Sequence, residues 1–136
     1  MTRDEILNMP AGYGMRKLLG EKVMGWNQQG KWWVGIASVI CPVSVWKPDE
    51  NIAAAWDVAD KINRMIAENI LELENDYNYL TLECVGYTSG YAASFDCLLD
   101  HEWFEDITNY KYAARDETAP LAICRAALLA VMEDAE

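Results

Sequence analysis

A chain of 136 residues that is 52% hydrophobic, with six Trp and seven Tyr, fits one domain spanning 1–136 and is too apolar to stay disordered. Its 11 basic against 22 acidic residues leave a formal net charge of -11, which opposes the phosphate neutralisation that duplex binding requires. Duplex nucleic acid is therefore excluded as an expected partner, while a local basic pocket for a small anion is not, because net charge describes the average surface.

In chain order, Thr2 and Glu5 have the spacing of a capping box, which predicts a helical turn to about Asn8, broken by Pro10, Ala11 and Gly12. A second helix is expected from about Gly14 to Met24, with Met15, Leu18, Leu19 and Val23 at helical spacing and Gly25 as its terminal cap. Trp26 to Lys47 reads as irregular with room for a short strand, since β-favouring residues such as Trp32, Trp33 and Val34 are punctuated by Gly30, Gly35 and Pro42. Its aromatic content has two readings, core or oligomer contact on one side and the wall of a ligand pocket on the other.

Pro48, Asp49 and Glu50 are expected to start the longest helix and to place negative charge at its N-terminal end. Ile52, Trp56, Ala59, Ile62 and Ile66 recur on one apolar face, and the helix is expected to end near Asn69 unless Ile70 and Leu73 carry it a further turn. Alternation over Tyr79 to Val85 and again over Tyr91 to Leu99, across a turn at Gly86 to Gly90, predicts a hairpin. A loop centred on Thr88 would set Cys84 opposite about Ala92 and Cys97 opposite about Tyr79. Ile107 to Ala114 reads as a third strand. Thr118 to Met132, almost wholly apolar and opened by Pro120 in its first turn, predicts a buried helix whose small residues let other elements approach on several sides.

The N-terminal segment is acidic and polar without an apolar core, so no secretory signal is read, and the uncharged run Trp32 to Trp46 is interrupted and falls short of the roughly 18 apolar residues of a span. A cytoplasmic protein with no membrane partner is expected. Cys41, Cys84, Cys97 and Cys124 lack metal or redox spacing and are expected to be free thiols.

Chemistry-bearing motifs are sparse. With His101 alone, imidazole-dependent triads and metal sites have little support, and the acidic run around Asp100, His101 and Glu102 lacks the ligand spacing and turn glycine of a calcium loop. No Walker loop or dinucleotide fingerprint is present. No catalytic residue, metal ligand or cofactor is therefore assigned, and an enzyme is not expected. Arg125 is a lone charge on the apolar C-terminal helix. It has two readings: a stem on the core with its head in water or on a carboxylate, or anion capture beside Arg115 or Lys111. Arg16 and Lys17 read as a small basic spot on a solvated face.

The segments NMPAGYGMRKLLGEKVMGW, DENIAAAWDVADKI and DETAPLAICRAALLAVMED together resemble the phage ABA sandwich domain family, the last segment being the most specific. That resemblance implies an α+β fold, a three-layer α-β-α sandwich with a small antiparallel sheet of three or more strands and a buried C-terminal helix. It also implies phage or prophage origin and a bacterial host cytoplasm, and it supplies no activity and no site residues.

The functional expectation is a non-enzymatic phage accessory binding protein, in its most specific form one that sequesters a nucleotide-type host immune signal. Trp32, Trp33 and Tyr91 would stack on a base, while Lys111, Arg115 and Arg125 would pair with phosphate. The alternative is a protein-interaction or structural module that binds or inhibits a host protein. The generous apolar content also favours a homo-oligomer.

Overall fold

The computed structural model describes residues 2–68, 81–84, 91–94 and 113–132. The first helix, α1 (Arg3–Leu7), carries the expected capping box: Glu5 N–H donates to Thr2 Oγ1 and Thr2 N–H to Glu5 Oε2, both at 3.2 Å. Gly12, at φ 133°, swings the chain into α2 (Tyr13–Leu18), which widens into a π-helical segment over Leu19–Val23. Gly25 at φ 75° ends it, as a C-terminal cap glycine should.

The region expected to be irregular is instead a three-stranded antiparallel meander: β1 (Asn27–Gln29), β2 (Trp32–Val34) and β3 (Val39–Pro42). Gly30, at φ 62°, makes the tight β1–β2 turn, and Gly35 N–H donates to Ser38 O at 2.8 Å within the β2–β3 turn. The glycines that argued against a sheet are the turns between its strands. Trp33 rests on Gly20, where any Cβ would lie 2.6 Å from the indole ring, and joins Trp26 and Trp46 in a cluster with ring centroids 5.0 to 6.1 Å apart.

Helix α3 (Ile52–Ala67) starts later than the acidic segment suggested. Asn51 Oδ1 accepts from Ala54 N–H at 3.0 Å and caps it, while Pro48, Asp49 and Glu50 form the preceding turn. Its buried face is also rotated: Ala55, Val58, Ala59 and Ile62 are buried, and Ile52 and Trp56 face outward. The second sheet has antiparallel strands β4 (Thr81–Cys84), β5 (Tyr91–Ser94) and β6 (Ala113–Asp116). Cys84 pairs with Tyr91, one residue from the expected register, because the spacing between the strands is even and not the odd loop that a centre on Thr88 assumes. The third strand runs on through Arg115 to Asp116, whereas Ile107 to Tyr112 and the expected Cys97–Tyr79 pairing lie outside the described residues.

Helix α4 (Ala119–Met132) packs on β5 and β6 and also meets α3, the π segment and α1. Ala93 and Ala114 are cross-strand partners, both buried, and with Ala122, Ala126 and Ala127 they keep the core shallow enough for close approach. The protein is thus α+β, with a three-stranded antiparallel sheet backed by a buried C-terminal helix. Among the described residues no helix is long and apolar enough to cross a membrane.

Candidate functional site

The alternation of β2 separates two adjacent tryptophans. Trp33 points into the core and is fully buried, so it reaches no open surface; Trp32 is 48% exposed. Trp32 forms one wall of a cleft of about 640 Å³, and Tyr13 at the start of α2, 52% exposed, forms another. The Tyr13 hydroxyl donates to Gln28 Oε1, and Gln28 Nε2 donates to Gly30 O at 3.1 Å, so β1 and its turn hold the phenol ring in place. Lys31 and Arg16 supply positive charge to the lining, and Pro42, Val43 and Ser44 complete it. Among these residues there is no carboxylate, thiol or imidazole.

Arg16 is braced from behind. Its Nε donates to Asp49 Oδ1 at 2.6 Å and its Nη2 to Asp49 Oδ2 at 3.1 Å, with Glu50 Oε1 3.4 Å from Nη2. The hydrogen bond to Asp49 raises the Arg16 pKa above its already high ordinary value. A two-point pair of this kind fixes the guanidinium plane, and the Asp49 side chain is only 1% exposed. Behind it lies Cys124, a free thiol pushed well above its ordinary value by burial first and by the Asp49 charge second, with Arg125 and Arg16 opposing. Burial also raises Cys41, the other free thiol among the described cysteines.

Arg125 is placed away from this cleft. Its Nη1 donates to Asp116 Oδ2 and its Nη2 to the Met9 carbonyl at 2.7 Å, with 15% of the side chain exposed. The guanidinium therefore ties α4 to the end of β6 and to the α1–α2 connection, the carboxylate-paired arrangement weighed from the sequence. Tyr91 and Arg115 occupy neighbouring strands, β5 and β6, one register step apart; their side chains, and Lys111 and His101 altogether, lie outside the described residues. Of the residues expected to bind ligand, the structure places Trp32 on a cleft. It adds Tyr13, Arg16, Gln28 and Lys31, of which the sequence singles out only Arg16, as part of a solvated basic spot.

A second cleft of about 460 Å³ lies between the Trp26–Trp46 pair and α3. Its rim carries Asp57, Asp60, Lys61 and Arg64, and the Asp60–Arg64 pair, at 2.7 Å, neutralises itself across one helical turn.

These elements define a mixed α+β protein with an antiparallel sheet, a C-terminal helix buried against it, and an aromatic and basic cleft on the β1–β2–β3 meander. The phage ABA sandwich domain model matches residues 17–97, more than half of the 136 residues, and the chain belongs to that family. The match takes in Lys31, Trp32 and the Asp49–Glu50 turn but not α4, so the C-terminal segment read as the most specific lies beyond it. Comparison with curated proteins and with solved structures gives no significant match.

Proposed function

We propose that this phage-family protein is a non-enzymatic accessory protein that binds a small nucleotide-type ligand in the Tyr13–Trp32 cleft. Acting in the host cytoplasm, it would sequester a signal made by the host's immune response. The observation that supports this reading is a cleft of about 640 Å³ with two half-exposed aromatic rings and two cations on its lining. Base stacking on an aromatic side chain contributes roughly 1–3 kcal/mol per base, and it tolerates any base because each has a π-face. Lys31 and the fixed Arg16 would then meet the phosphate. A lining without carboxylate, thiol or imidazole suits retention of the ligand rather than turnover.

The test is a thermal-shift and calorimetric panel of cyclic mononucleotides, cyclic dinucleotides and ADP-ribose-type compounds against the wild type, Trp32→Ala and Tyr13→Ala. Binding by the wild type that weakens about ten-fold or more in each variant is the expected result, equal to about 1.4 kcal/mol. Undiminished binding in both variants, or none by the wild type, would sink the reading.

A second reading, a module that docks on a host protein, is favoured by the outward-facing Ile52 and Trp56 on α3. A stoichiometric protein recovered from host lysate by the wild type and lost with Trp56→Ala would support it, and a small ligand retained in native mass spectrometry would count against it.

A further inference from the structure

We infer that the cleft selects for low ligand charge, taking a base joined to a singly charged phosphodiester and rejecting terminal di- and triphosphates, with Asp49 and Glu50 as the selecting residues. This rests on the proposed nucleotide-type reading and narrows it. Of the two cations on the lining, Arg16 and Lys31, the first is paired with two carboxylates, Asp49 and Glu50, that are not themselves on the lining. Asp49 is 1% exposed, so water screens its charge little, and it holds Arg16 through both Nε and Nη2. Glu50, 62% exposed, reaches the same Nη2 from outside.

Arg16 is thus a fixed hydrogen-bond donor whose charge is already matched, and among the described residues Lys31 makes no ion pair. The adjoining groove, which shares Tyr13, Gln28 and Gly30, adds Lys17 and Glu21, again one of each sign. A phosphate carrying one charge meets one unmatched cation here. No other cation on this lining meets a further charge, which is repelled by the Asp49 and Glu50 carboxylates bound to Arg16 and by a chain of net charge -11.

The experiment measures calorimetric affinities, in magnesium-free buffer, for two series of probes: the nucleoside, its 3′,5′-cyclic monophosphate, its 5′-monophosphate, diphosphate and triphosphate, with adenine and with guanine. Glu50→Gln and Lys31→Ala are the variants, both at exposed positions. The cyclic monophosphate is expected to bind at least about ten-fold more tightly than the triphosphate of the same base. That gap should narrow as salt rises from about 50 to about 300 mM, because the repulsion is screened. Glu50→Gln should shrink the gap several-fold by improving triphosphate binding, and Lys31→Ala should weaken the cyclic ligand toward the level of the nucleoside. Affinity that rises with phosphate number and falls steeply with salt would overturn the charge selection while leaving nucleotide binding intact. A wild type that binds no member of either series would overturn both.

Discussion

At Gly20 the missing side chain is filled by another residue's ring. A Cβ built there would sit 2.6 to 2.9 Å from three atoms of the Trp33 indole, a separation that real contacts do not reach, so either the π segment or β2 must move. Gly20→Ala is expected to cost about 1–3 kcal/mol in urea unfolding, as overpacking does, and a neutral result would mean that the Trp cluster is loosely held. Arg125 carries a larger share. Arg125→Met strands the Asp116 carboxylate and the Met9 carbonyl, both partly buried, and should cost about 3–5 kcal/mol, whereas Asp116→Asn keeps an acceptor and should cost less. Because Arg125 is not on the cleft lining, nucleotide affinity of whatever folded Arg125→Met protein remains should match the wild type.

Cys124 gives the pH test. Its folded pKa is raised above an ordinary value near 9.0 by burial, so its contribution to stability is intact below that value and lost as pH rises beyond it, where the unfolded chain ionises and the folded one does not. Unfolding free energy measured from pH 7 to pH 10.5 should fall at the upper end, and Cys124→Ala should remove that part of the fall. Thiol titration at pH 8 should leave Cys124 unmodified until the protein unfolds.

At the scale of elements, helix α3 shows why periodicity located an element without orienting it. Ile52, Trp56, Ala59 and Ile62 form a stripe, but so do Ala55, Val58, Ala59 and Ile62, and the second stripe is the one α4 and the π segment cover. Small residues allow the closer approach, so alanines win a face that hydrophobicity alone awards to tryptophan. Trp56→Gln should therefore change stability by no more than about 0.5 kcal/mol, and Ile62→Ala should cost about 2–5 kcal/mol. The reverse order would restore the face predicted from the sequence.

The capping box, the terminal Gly25 and the buried α4 were legible because each depends on neighbours in sequence. The β1–β2–β3 meander was not, because short strands punctuated by Gly30 and Gly35 look the same as loop until their partners are known. The cleft was half legible. Trp32 stood out by its chemistry, yet Tyr13 and Gln28 are fifteen residues apart and meet only through the turn at Gly25. The partners of Arg16 and Arg125 depend on separations of 33 and 116 residues to Asp49 and Met9, which no local pattern carries.

For the molecule as a whole, an acidic chain exposes apolar side chains, among the described residues and outside the Tyr13–Trp32 cleft, around the β2–β3 hairpin at Ile36, Val39 and Ile40, at Val45, and on α3 at Ile52 and Trp56. These are the surfaces through which the homo-oligomer we propose would form, and Val39→Lys with Trp56→Lys should return the protein to a monomer in light scattering if it does.

The most direct test of the binding cleft is native mass spectrometry of the protein purified from infected cells, beside Trp32→Ala purified in the same way. A retained adduct of nucleotide mass is expected on each wild-type subunit, absent from Trp32→Ala while the subunit number stays unchanged. A wild type that emerges without a ligand, or an adduct equally retained by Trp32→Ala, would contradict it.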